Sequence, residues 1–153
     1  MAREHATFWH YNDMGLLRAT YIEHVFSPHA HEEFEIGIIE NGVQTDLHHG
    51  RTRMNMPAGC IAVVNPGTLH IGHAANREGW TYRMFYPPPA LVQRVASEIE
   101  GRNRAVPLFP TPIIYDRALF YLLQLTHRIL EDPLSSSLMC DSYLTWALTF
   151  LVM

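Results

Sequence analysis

Hydrophobic and polar positions along the chain change rhythm once. Up to about Pro87, short runs rich in β-branched and aromatic residues are broken by turn residues. The breaks fall at Ser27-Pro28, Asn41-Gly42, His49-Gly50, Pro57-Ala58-Gly59, Asn65-Pro66-Gly67 and Glu78-Gly79. Punctuation at about 8–12-residue spacing predicts an all-β sandwich or barrel. The strands it predicts cover roughly 16–25, 33–40, 43–49, 52–56, 60–64, 69–74 and 80–86. Asn41-Gly42 reads as the best single turn, because glycine tolerates the positive φ of a tight hairpin.

Beyond Pro87 the apolar residues recur at steps of three and four, the period of a helix face. Pro88 and Pro89 suit the start of a helix through Ile99. Residues 101–115, with Gly101, Pro107, Pro110 and Pro112, read as a surface loop. Asp116 is a natural N-cap for a helix carrying Leu119, Leu122, Leu123, Thr126, Ile129 and Leu130 on one face. Glu131-Asp132-Pro133 ends it, and Ser135 to Ser137 can cap a last helix through Leu144, Leu148 and Leu151. From Trp146 to Met153 there is no glycine, charge or C-cap residue, so the pattern predicts a piece cut from a longer chain. The domain reading is an arm over 1–15, a barrel over 16–87 and a helical segment over 88–153.

Composition narrows the classes. A 153-residue chain with 48% hydrophobic residues can bury one proper core without staples. Charged residues make up 17%, below the roughly 25% of a typical soluble domain, which suggests surface covered by a partner or by a missing domain. A net charge of −4 argues against gripping DNA or an anionic membrane by bulk electrostatics. Cys60 and Cys140 make neither a disulfide framework nor a Cys-type zinc site, and fit a reducing cytoplasm. No run of about 18 apolar residues predicts a membrane span. Arg51 and Arg53 read as a solvated face, and His48-His49 as an exposed turn. No phosphate-binding glycine loop, nucleophile elbow or HExxH motif is present.

Seven of the ten histidines lie between His24 and His73. In an extended strand, His29, His31, Glu33 and Glu35 would share a face. Two imidazoles and a carboxylate make most of a divalent-metal site. A fourth ligand would come from the second constellation, Asn65-Pro66-Gly67-Thr68-Leu69-His70 followed by His73. Trp80, Tyr82, Met84 and Tyr86 alternate with Thr81, Arg83 and Phe85. The first set shares one strand face and, residue by residue, reads as plain barrel core. Trp9 and His10 are placed either to close a pocket as an arm or to pair as an edge strand.

These residues resemble the two motifs of the cupin superfamily. His29, His31, Glu35 and Gly42 fall in the register of the first, and Gly59, Gly67 and His70 in that of the second. The sequence departs from them at Glu23, Asn65 and Ala74, where the motifs carry Gly, Pro and Asn. The resemblance implies metal ligation by His29, His31, Glu35 and His70. No metal is required, but a divalent ion such as Zn, Ni, Fe or Mn would suit these ligands.

Almost the whole chain resembles the effector-binding and dimerisation domain of AraC-type transcriptional regulators. The segments that carry this are Phe8-Trp9, His29 to Gly37, Ile39 to Gly42, Pro57-Ala58-Gly59, Asn65 to His70 and Gly79 to Pro87. The resemblance implies a mainly β, cupin-like (double-stranded β-helix or jelly-roll) barrel. Two or three C-terminal helices follow, the last forming a dimerisation hairpin. It implies an effector, a sugar, amino acid or small aromatic, bound by Trp9, His31, Trp80, Tyr82 and Met84. It also implies a homodimer through Leu144, Leu148 and Leu151, cytoplasmic location, no membrane partner, and DNA contacted only by a further domain not in this sequence. Members of this type carry His-x-His as barrel scaffold without a documented metal. The alternative is a small metal-dependent cupin enzyme, a dioxygenase or isomerase, using His29, His31, Glu35 and His70.

Overall fold

The computed structural model describes residues 3–49 and 52–153. Two sheets lie face to face. The first runs β1 (His5–Tyr11), β2 (Met14–Tyr21), β8 (Trp80–Tyr86), the first half of β4 (Glu35–His49), β6 (Ile61–Val64) and β9 (Ile113–Ile114). The second joins β3 (Val25–His29), β7 (His70–Ala74), the second half of β4 and β5 (Thr52–Pro57). Helices α1 (Pro89–Glu100), α2 (Arg117–Glu131) and α3 (Ser137–Val152) cover the outer face of the first sheet.

That sheet is buried on both faces, which explains its continuous apolar runs. Ile36, Ile38, Ile61, Val63 and Phe85 point to the helices and pack with Val92, Leu123 and Leu148. Their neighbours Ile39, Ala62, Val64, Trp80 and Tyr82 point inward to the other sheet. Every residue of Ile61-Ala62-Val63-Val64 is buried, so alternation of polarity is lost while alternation of direction remains.

Several expectations are corrected. The run 16–25 splits into β2 and β3, which belong to different sheets. The chain turns at 22–24, where Oε1 of Glu4 accepts the backbone N–H groups of Ile22, Glu23 and His24 at 2.7, 2.6 and 3.0 Å. These three bonds hold the Glu4 carboxyl below the usual carboxylate range. The runs 33–40 and 43–49 are one strand, so Asn41-Gly42 is a bend and not a hairpin. The register against β8 slips between Ile39 and Asn41, and Gly42 takes φ +75°. A side chain at Gly42 would collide with the Gly79 carbonyl. Residues 5–11 pair with β2 over seven residues, the edge-strand alternative for Trp9 and His10, and β2 itself begins at Met14. The loop 101–115 contributes β9, which pairs with β6. The readings at Arg51, and at the side chains of His48 and His49, lie outside the described residues.

The three helices form as the spacing predicts. Asp116 caps α2, its carboxylate accepting from Leu119 N at 2.9 Å, and Ser136 caps α3 through Met139 N at 3.2 Å. Asp116→Ala lowers stability by about 1 kcal/mol, read as a lower urea midpoint at unchanged slope. Leu144, Leu148 and Leu151 do not form an outer face. They turn into the core, at 8%, 1% and 7% exposure. The residues facing outward are Tyr121 and Leu125 on α2, and Met139, Trp146 and Phe150 on α3. Among the described residues, no helix is long and apolar enough to cross a membrane.

Candidate effector pocket and ligand cluster

Between the two sheets lies a cavity of about 490 Å³. Strand β8 supplies one wall with Tyr82, Met84 and Tyr86, side by side because residues two apart share a face. Strand β3 supplies the opposing rim with Val25, Phe26 and His29. Met56, Ala62 and Val64 make the floor apolar. Gln44 also reaches in, across Gly72, where any side chain would strike its amide.

At one end four ligand-type side chains converge. His29 and His70 are direct cross-strand partners of β3 and β7, with rings 4.3 Å apart. His31 follows β3 in a turn pinned by its own carbonyl, which accepts Gly67 N–H at 2.8 Å. Glu35 opens β4 and is 5% exposed. One ligand atom from each of the four lies within 4.8 Å of all the others. Glu33 does not join them. The strand ends at His29 and the chain bends at 32–33, which turns Glu33 outward. His73 also lies elsewhere on β7, its Nδ1 bonded to the Ala74 carbonyl at 2.8 Å.

The hydrogen bonds fix tautomers. His29 Nδ1 donates to Ser27 O at 2.7 Å and His70 Nδ1 to Thr68 O at 2.9 Å, because a carbonyl can only accept. In the neutral rings Nε2 then carries a lone pair directed at the cluster. His70 Nε2 stands 2.5 Å from Glu35 Oε2, and His31 Nε2 3.4 Å from Glu35 Oε1. When the His70 ring is charged, its Nε2–H faces the buried Oε2 in a short, poorly aligned ion pair. Burial disfavours the His70 imidazolium, but the Glu35 carboxylate and Thr68 carbonyl outweigh it and raise the pKa above the ordinary value. A buried carboxylate oxygen facing imidazole lone pairs that backbone carbonyls orient is a donor set that fits a divalent ion. The hydroxyls of Tyr82 and Tyr86 are held in the protonated form, chiefly by burial and further by nearby tyrosines and Glu35.

Other sequence-singled residues sit outside the cavity lining. Trp80 shares the inward face of β8 but is buried beyond the lining, stacked on Tyr82 at 5.8 Å. Trp9 lies on the far side of the sheet. Its Nε1 donates to Leu130 O at 3.2 Å and its ring meets His127 at 5.2 Å. Reasoning from sequence missed the β3 rim and Gln44. Pro28 made β3 look like a turn, although proline is at home on an edge strand.

Behind the wall, the alternate face of β8 carries Arg83, 5% exposed. Its Nε donates to Glu40 Oε1 at 2.9 Å and its Nη1 to Glu131 Oε2 at 2.6 Å. His127, fully buried on α2, donates from Nε2 to the Met84 carbonyl at 3.1 Å and accepts from Arg83 Nη1 at Nδ1, also at 3.1 Å. Burial and the Arg83 charge push the His127 pKa down to about 4. Gln124 donates to Glu40 at 2.8 Å, and Arg18 pairs with Glu131 at 3.0 Å. No sequence signal marked this cluster, because its members come from β2, β4, β8 and α2.

Two packed sheets around a cavity that holds a His-His-Glu-His group make this a cupin fold. The chain belongs to the family of AraC-like ligand-binding domains, whose model matches residues 12–148. Among solved structures, an RmlC-like cupin family protein with a double-stranded β-helix fold from Methanocaldococcus jannaschii aligns with TM-score 0.52 and 12% identity, over 56% of this chain and 81% of its own. A conserved protein of unknown function from Streptococcus pyogenes aligns with TM-score 0.50 and 12% identity, over 57% of this chain and 75% of its own. At such identities the likeness is one of fold. No protein of curated function matches the sequence.

Proposed function

We propose that this domain is the effector-sensing and self-associating part of an AraC-type transcriptional regulator, acting on DNA through a further domain. The observation that carries this reading is the cavity between the sheets, with polar groups at one end and an apolar floor, in a chain of this family. Strand β8 supports it too. Its inward residues line the cavity, while the carbonyl of Met84 and the side chain of Arg83 are held by α2. A small molecule that fits one setting of this wall better than another shifts the helices by population.

Self-association uses the outward aromatic face of α2 and α3. Tyr121, Trp146 and Phe150 are 54%, 50% and 53% exposed, and the Trp146 and Phe150 rings touch at 6.1 Å. Exposed aromatic clusters of this kind mark interaction surfaces. Trp146→Glu abolishes a dimer seen by sedimentation. A wild-type monomer at all concentrations, or a dimer untouched by Trp146→Glu, refutes this face.

His29, His31, Glu35 and His70 would hold a divalent transition ion, which would supply Lewis acidity and open coordination positions for a guest. This is also the feature that favours the second reading, a metal-dependent cupin enzyme. One experiment separates them. Metal content is measured after dialysis with and without EDTA, for wild type and His70→Ala, alongside a thermal-shift screen of sugars, amino acids and small aromatics. Stabilisation by one ligand class without turnover supports the sensor. Turnover that needs stoichiometric metal, lost in His70→Ala, supports the enzyme.

A further inference from the structure

The cavity states what its guest must look like, taken as an effector site. Its two ends are polar in different senses. At the cluster end stands the Glu35 carboxylate, 5% exposed, its Oε2 against His70 Nε2 and its Oε1 3.4 Å from His31 Nε2. A carboxylate has lone pairs beyond these two contacts, so a guest is favoured there if it donates a hydrogen bond. At the other end stands the Tyr82 hydroxyl, on a residue only 4% exposed, with no hydrogen bond to any described residue. It faces the cavity as a neutral donor, so the guest must offer an acceptor there. Tyr86 and Tyr82 mark the two ends, with the Tyr86 ring 5.7 Å from that of His31. They are four residues apart on one strand, which sets their Cα atoms about 13 Å apart.

Between the ends the surface is mainly apolar, formed by Met84, Met56, Val64 and Phe26, with the Gln44 amide reaching in across Gly72. A sugar, polar all round, would lose water from its hydroxyls against this floor without replacing the hydrogen bonds. Among the described residues lining the cavity there is no lysine or arginine. A carboxylate or phosphate placed near Tyr82 would therefore meet no positive charge. The flat side chains on β3 and β8, with Met56 and Met84, suit a planar guest.

We propose that the effector is a neutral, elongated aromatic with a hydroxyl at the cluster end and an oxygen acceptor at the Tyr82 end, and that Tyr82 selects for that second oxygen. This rests on reading the cavity as an effector site. The volume of about 490 Å³ accommodates a two-ring molecule.

The test uses 4,4′-dihydroxybiphenyl as probe, by calorimetry on the whole chain. 4-Hydroxybiphenyl lacks the second oxygen, 4′-hydroxybiphenyl-4-carboxylate makes that end anionic, and glucose and glycine stand for the other classes. The dihydroxy probe binds best, and removing or ionising the second oxygen weakens binding by about 5-fold or more. Tyr82→Phe weakens the dihydroxy probe by about 5-fold and leaves 4-hydroxybiphenyl unchanged. Equal binding of the two biphenols, tighter binding of the carboxylate, or an equal effect of Tyr82→Phe on both biphenols overturns the proposal. Binding of glucose or glycine with none of the biphenyls overturns it while leaving the sensor reading intact. Binding of none of the five overturns it, and if the wider thermal-shift screen is also empty the sensor reading falls with it.

Discussion

Replacing Arg83 with methionine lowers the unfolding free energy by about 3 kcal/mol, measured by urea denaturation. The guanidinium is 5% exposed and answers two carboxylates and one imidazole. Methionine fills the space but leaves Glu40 and Glu131 facing each other across a dry interface, and leaves His127 Nδ1 without its donor. The loss falls at the lower end of the range for buried pairs, because the Glu131 side chain keeps 28% exposure and can rehydrate. Arg18→Met is the control. Arg18 pairs with the same Glu131 at 3.0 Å from a side chain 38% exposed, and its loss costs less than about 1 kcal/mol. A loss at Arg83 no larger than that at Arg18 would contradict the geometry.

Stability also falls between about pH 6.5 and pH 4, by about 3 kcal/mol, and His127 is the cause. Its imidazole is neutral in the fold, with a pKa pushed down to about 4 by burial and by Arg83. Above the ordinary histidine value neither state carries the proton, and nothing changes. Between that value and about 4 the unfolded chain takes up a proton that the fold refuses, so stability is lost as pH drops. Below about 4 both states are protonated and this contribution is flat. Glu40 acts in the same direction further down. It is partly buried, which alone would raise its pKa, but Gln124 and Arg83 hold it below the usual range, so its contribution goes only in stronger acid. His70, whose pKa is raised, has the opposite slope and weakens the fold as pH rises. The His127 share is isolated with His127→Gln, which keeps a donor for the Met84 carbonyl. The variant shows no fall across the window, whereas an unchanged fall assigns it to another group.

Residue spacing carried an all-β sandwich or barrel and the three helices, because each depends on local rules, and the family resemblance supplied the cupin-like form. Asp116 and Ser136 cap where a polar residue precedes an apolar helical face. His29, His31, Glu35 and His70 meet because paired strands set His29 beside His70 and the turn brings Glu35 beneath them. What remained illegible depends on distant partners. The face that α3 buries could not be told from its composition, since Leu144 and Trp146 are both apolar and only packing decides between them. Asn41-Gly42 has the letters of a hairpin, yet the pairing of one strand with β8 before the bend and with β5 after it overrides the local preference. Arg83 and His127 are 44 residues apart, and nothing local predicts their contact.

The uninterrupted run of β4 through that bend has a mechanical consequence. Ile36 to Gly42 are bonded in one sheet and Val43 to His49 in the other. Along this seam the two halves of the barrel are a single piece of backbone, and prying them apart there means breaking both ladders at once. The opposite margin is built differently. There β3 is bonded on one side only, to β7, with a register break between Phe26 and His29. The domain is thus a book with a sewn spine at Gly42 and a loose fore-edge at β3, and the cavity's rim residues Val25, Phe26 and His29 lie on that fore-edge.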